Sequence, residues 1–92
     1  MPEMYFRVRW PDATETMCYS PSLIIREYFT PGETYRMPDF VERSRVALTI
    51  ASDRVRAKYG YECTSAKAQL AEIERTANKY ADDAHITVVG FQ

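Results

Sequence analysis

Between Pro38 and Gly60 the chain carries a helix whose two ends are both written into it. Proline suits a first-turn position, where no amide donor is needed, and glycine accepts the left-handed conformation that stops a helix. Phe40, Ser44, Ala47, Leu48, Ala51 and Val55 recur at spacings of three and four and form one face. Arg45, Thr49, Ser52 and Arg56 form the opposite, wet face. A helix with one apolar face needs a surface to lie on, and the rest of the chain must supply it. Between the two faces runs a narrower apolar strip, Val46, Ile50 and Ala57, which a helix packed on one side only would not need. Either another helix of the same domain covers that strip or it meets a partner.

The surface for the helix comes from the two ends of the chain. Met4, Phe6, Val8 and Trp10 alternate with Tyr5, Arg7 and Arg9, the period of a half-buried strand. Pro11-Asp12-Ala13-Thr14 supplies turn chemistry, with Asp12 able to bond its own backbone, and a second strand follows from Glu15 to Tyr19. The two make a hairpin. Ser20 and Pro21 then read as cap and first residue of a short helix from Pro21 to Phe29, with Tyr19 stapled onto Ile24. Thr30-Pro31-Gly32 ends it, and residues 33–37 are extended or loop. After Tyr61-Glu62-Cys63, a third helix capped by Thr64 or Ser65 lines up Ala66, Leu70, Ile73, Ala77 and Tyr80. The β-branched run from His85 to Phe91 predicts a strand that joins the hairpin. The expected fold is α+β: one domain, residues 1–92, with a small antiparallel sheet of N-terminal hairpin and C-terminal strand. One short and two longer helices cover one face of that sheet.

With 92 residues and a formal charge of -1, the chain has a modest core and no general attraction for a nucleic-acid backbone. Residues 31–60 nevertheless hold six basic and four acidic groups, so a local basic patch is allowed. Domains of this size often gain burial by pairing, which makes a protein partner, a second copy or a pathway enzyme, an expectation. The start of the chain lacks a basic leader with an apolar run, and no stretch approaches the ~20 apolar residues of a membrane span. A soluble cytoplasmic protein is the default.

Candidate chemistry is sparse. Cys18 and Cys63 each precede an expected helix start, where the macrodipole favours a thiolate, and with His85 they form the one conceivable thiol or soft-metal set. Their spacing matches no CxxC or HExxH pattern, so buried, reduced thiols are the simpler reading, and neither a metal site nor a cofactor is expected. His85 alone reads as a strand-start histidine, and Glu72, Glu74, Asp82 and Asp83 as a solvated face and loop. No residue is assigned as catalytic. Tyr5, Arg7 and Arg9 interleave an aromatic with two basic groups on an outward strand face, a pattern that single-strand nucleic-acid binders use. It is also common in any half-exposed strand.

The segments Met1 to Asp12, Cys18 to Ser22, Tyr28 to Tyr35 and Ala47 to Gly60 resemble a small bacterial nitrogen-starvation-response family. Members are encoded beside a nitrilase, a radical-SAM protein, an acetyltransferase-like protein and a flavoprotein. The resemblance implies a role in scavenging nitrogen from nitriles or cyanide, and it brings no catalytic residues with it. The expected function is therefore a cytosolic accessory or binding protein of that metabolism. A small thiol-dependent or metal-binding enzyme using Cys18 and Cys63, and a single-stranded nucleic-acid-binding module, are the alternatives.

Overall fold

The structure, a computed structural model, describes residues 3–61 and 63–92. Met1, Pro2 and Glu62, which the sequence places in the leading segment and in the link before the third helix, lie outside the described residues. The elements run β1 (Met4–Arg9), β2 (Glu15–Ser20), α1 (Ile25–Tyr28), β3 (Thr34–Arg36), α2 (Met37–Tyr59), α3 (Thr64–Ala77) and β4 (His85–Phe91). The four strands form one antiparallel sheet in the order β2-β1-β4-β3. The expected α+β architecture is what the chain adopts.

The period-two alternation of β1 decides which way the sheet faces. Met4, Phe6 and Val8 are buried, Tyr5 and Arg9 are exposed and Arg7 is half-buried. On the covered side Phe6 stands opposite Cys18 and Val8 opposite Val88. The hairpin turns as its chemistry requires: Thr14 donates its amide and its hydroxyl to Asp12 Oδ1 at 3.1 and 2.6 Å. Ala13 takes φ 73°, the left-handed position that closes a three-residue hairpin loop. Between Arg7 and Val8 the pairing with β4 shifts register, which sets Arg7 opposite Gly90.

The residues at 34–36 are a strand because β4 has a free side there: Thr34 pairs with Thr87 and Arg36 with His85. This strand gives the sheet a fourth member beyond the hairpin and C-terminal strand expected from the sequence. It runs directly into α2, whose amide at Met37 donates to Ala84 O at 3.0 Å.

Helix α2 starts and stops where its proline and glycine dictate, with Pro38 in the first turn and Gly60 left-handed at φ 81°. Its stripe of Phe40, Ser44, Ala47, Leu48, Ala51 and Val55 is buried throughout. Ser52, expected on the wet face, is buried too, since α3 lies alongside and Ala66 and Leu70 come close to it. The core collects aromatic rings: Phe40 meets Phe29 at 5.4 Å and Trp10, edge-on, at 5.9 Å, and Tyr80 stacks on Trp10 at 5.8 Å. Fully buried Phe6, Phe40, Ile25, Leu48 and Ile73 each contribute about 1.5–3 kcal/mol by leaving water.

Two helix starts differ from expectation. Residues 21–24 form a turn instead of helix, and α1 begins only at Ile25 with Ile24 before it and no side-chain cap. Ser20 is fully buried at the end of β2, where its hydroxyl donates to Ser22 O at 2.6 Å and accepts the Ser22 amide at 3.3 Å. Its hydroxyl therefore closes a local turn before any helix can begin. Tyr19 does not staple onto Ile24; its ring meets Tyr5 on the uncovered sheet face while Ile24 is buried. At α3 the N-cap is Cys63, with Thr64 already helical and no side-chain cap bond.

Candidate functional site

Gly60 ends α2 in a left-handed turn, and three residues later the chain is extended at Cys63 (φ −84°, ψ 99°) before α3 begins. This reversal leaves Tyr59 and Tyr61 on either side of the glycine, with rings 6.1 Å apart and tilted by 33°. They are among the most exposed large apolar side chains among the described residues, at 48% and 66%. Tyr19 approaches the same corner from the end of β2, and Glu3 from the residue before β1. Together these four enclose a cleft of about 300 Å³, with Val55 and Pro21 contributing apolar wall and Cys63, Thr64 and Ser65 the helix start.

Glu3 brings a carboxylate to this corner and Lys58 an ammonium. Burial, and after it the neighbouring Glu3 carboxylate, push the Tyr19 hydroxyl up to about 12, so Tyr19 is a neutral donor beside a carboxylate. Lys58 Nζ stands 5.5 Å from the centre of the Tyr59 ring, within reach of a cation–π contact. The Tyr19 strand is pinned from outside: its amide donates to Gln69 Oε1 of α3 at 2.9 Å, which closes the open edge of β2 at this point.

The thiols and His85 occupy separate places. Cys18 is fully buried on the covered face opposite Phe6. Burial first, and the charge of Glu72 second, push its thiol up to about 12, far from the thiolate a nucleophile needs. Cys63 is partly exposed on the cleft, and both cysteines are free. His85 is exposed and pairs with Arg36 at the start of β4. Ser20 lies opposite Met4 and Thr87 opposite Arg9, so five residues of β1, about 17 Å, separate the Cys63 end of the sheet from the His85 end. Among the described residues no group of three or more His, Cys, Asp or Glu side chains is placed to hold a metal ion.

Tyr5, Arg7 and Arg9 do share the uncovered sheet face, with Tyr5 at 40% exposure and Arg7 half-buried. Arg9 is already engaged, its guanidinium donating to Glu15 at 2.8 and 3.0 Å. On α2, Val46 and Ile50 are half-buried and Ala57 is exposed, so the narrow strip lies on the flank of the helix pair, outside the main core cluster. A separate groove of about 180 Å³ runs between α2 and α3, lined by Leu48, Ser52, Ala66 and Leu70 among others. No helix among the described residues is long and apolar enough to cross a membrane.

Glu3, Tyr59 and Tyr61 were not among the site residues expected from the sequence: Glu3 continues the outward alternation of Tyr5, Arg7 and Arg9, and Tyr59 follows Val55 by one helical turn. The available signal was the pair of tyrosines astride the glycine that stops α2, since large rings on both sides of a helix stop are held at the surface by the turn.

A family model described as nitrogen starvation-induced protein NitG matches residues 5–91. The chain belongs to the NitG family. The match runs from Tyr5, the second residue of β1, to the end of β4, so the NitG region contains all of the sheet but Met4, all three helices and the cleft residues from Tyr19 to Ser65. This agrees with the nitrogen-starvation resemblance read from the sequence. No curated protein and no solved structure matches the chain.

Proposed function

We propose that this NitG-family chain is a cytosolic accessory or binding protein of nitrogen-starvation metabolism, serving enzymes that recover nitrogen from nitriles or cyanide. The observation that carries the proposal is the family match over residues 5–91. The surface agrees with it: reactive groups are dispersed, Cys18 is held as a buried thiol, and the large exposed apolar side chains include the tyrosines of one cleft. Tyrosine-rich, partly apolar surface is the composition of recognition sites.

The partner in this proposal is either a second copy or an enzyme of the same pathway, with the Val46, Ile50 and Ala57 strip as a contact surface. Sedimentation of the purified chain, alone and mixed with the co-encoded nitrilase, tests it. A complex or a dimer is the expected result. Release of ammonia from a nitrile by the isolated chain would show instead that it is an enzyme.

A further inference from the structure

We infer that the uncovered face of the sheet is a contact between two copies of this chain, related by a two-fold axis that runs across the strands over Tyr5. Such a contact rests on the reading of the chain as a protein-binding accessory and uses a surface other than the α2 strip. The helices pack on the face of Phe6, Val8, Cys18 and Val88, which leaves the alternate side chains in the open. Tyr5 stands opposite Tyr19 there, with rings 5.6 Å apart, and Arg7 stands opposite Met17. Tyr5 and Met17 are 40% and 38% exposed, and Tyr19, Arg7 and Val89 are half-buried. On its other flank Arg7 faces Gly90. The φ of Gly90 is not positive and nothing lies within 4 Å of where its Cβ would stand, so neither the backbone nor the packing of this chain calls for a glycine. A depression of about 210 Å³ opens at this bare position, lined by Arg7, Val89 and Gln92 among others. Glycine inside a strand marks a place where another group approaches closely, and tyrosine, methionine and arginine are the residues that interface cores favour.

The charges on this face select a second copy as the occupant. Glu3 and Arg7 lie two residues, ~7 Å, to either side of Tyr5 on the outward alternation of β1. Arg7 makes no ion pair among the described residues, whereas Arg9 is met by Glu15 of its own copy. A two-fold across the strands lays β1 antiparallel over the β1 of the other copy. Tyr5 then faces Tyr5, and each Glu3 faces the other copy's Arg7 beside the depression at Gly90. The same patch serves both copies, as an isologous contact requires. Glu3 and Glu15 balance Arg7 and Arg9 on β1 and β2, which gives a polyanion no net attraction to these strands and suits a copy of the same surface. Arg36 and His85 lie at the far end of the sheet, away from Tyr5. Four strands ~4.8 Å apart and about six residues long present roughly 400 Å² of flat face, so the contact belongs at the small end of the interface range and the dimer is reversible.

The test is sedimentation equilibrium of the full chain over a wide concentration range, with circular dichroism to confirm folding. The parent should approach twice the monomer mass as concentration rises. Glu3→Arg and Arg7→Glu each set like charges across the axis and should weaken association about tenfold. The double variant Glu3→Arg with Arg7→Glu restores both pairs with their signs exchanged and should recover most of that loss. Glu27→Arg, the same change of charge at an exposed position on α1, should associate like the parent. A parent that stays monomeric, single reversals that associate like the parent, or a double variant no stronger than the singles would each overturn the inference. Saturable binding of a thymidine oligonucleotide by the monomer at the amides of Tyr5, Arg7 and Met17 would overturn it in favour of a nucleic-acid strand. The α2 strip lies on the helical layer, so failure here leaves the mixing test for an enzyme partner intact.

Discussion

Single residues in this chain carry constraints that burial and backbone angle make explicit. Ala13 sits at φ 73° in the hairpin loop, where an L-residue with a side chain is strained by about 1–2 kcal/mol. Glycine would release that strain while costing ~0.4–1 kcal/mol through the looser unfolded chain, so Ala13→Gly should gain about 0.5 kcal/mol. For a domain of this length that is a rise in Tm of roughly 3 °C by differential scanning calorimetry, and a fall would show that the loop is not left-handed there. Asp12 beside it is held below its ordinary value of 3.8 by the Thr14 hydroxyl and amide. A depressed folded value means that this contribution is complete above the unfolded value and is lost as pH falls through the folded one. Asp12→Asn should therefore flatten the acid limb of the stability curve below about pH 4. The cysteines separate by the same kind of reasoning. Cys18 is fully buried and held as a neutral thiol, whereas Cys63 faces the cleft, so a thiol reagent should label one cysteine quickly in native protein and the second only on unfolding. Cys18→Ser would place a hydroxyl in an apolar site and should cost ~1–3 kcal/mol.

At the scale of elements, what was legible in the sequence follows from which signals are local. The two ends of α2 depend on Pro38 and Gly60 alone, and the faces of β1 on strict alternation, so both emerge from composition and spacing. Short elements are decided by contacts that spacing does not show. Residues 34–36 become β3 only because β4, some fifty residues later, offers Thr87 and His85 as partners. Ser52 is dry because α3 returns over it. Ser20 illustrates the competition most directly, since serine before proline has the signature of a helix cap, yet here both of its bonds go to Ser22. Ser22 in turn accepts the Ile24 amide at 3.3 Å and a contact from Arg54 of α2 at 3.1 Å. Ser20→Ala should leave the Ser22 amide and carbonyl unpaired in a buried place, at ~1–3 kcal/mol, with a lower denaturant midpoint and unchanged helical circular dichroism. A loss of helical signal in the still-folded variant would restore the cap assignment. The candidate cleft was the least legible part, because Glu3, Tyr19, Tyr59 and Tyr61 come from four different positions relative to the elements and meet only through the topology.

For the whole molecule the question is what lies against the surfaces that its own chain does not cover. All three helices pack on one side of a four-stranded sheet, and the pair α2 and α3 leaves Val46 and Ile50 half-buried on its flank. This narrows the two meanings of the strip read from the sequence. A strip sealed inside the domain would be as dry as Ala47 and Leu48, which are essentially unexposed, and Val46 and Ile50 are not. Ile50→Glu should therefore leave the fold standing, since the carboxylate can reach water from a half-exposed position and the Phe40, Leu48 and Ile73 core is untouched. If the strip is a contact between copies, the same substitution places like charges across it and removes ~1–2 kcal/mol of apolar burial per copy. The expected outcome is a circular dichroism spectrum like that of the parent together with a smaller sedimenting mass. An unfolded variant would mean that the strip is structural after all, and a folded one whose mass and binding to the proposed partner enzyme match the parent's would remove Val46, Ile50 and Ala57 from the interface.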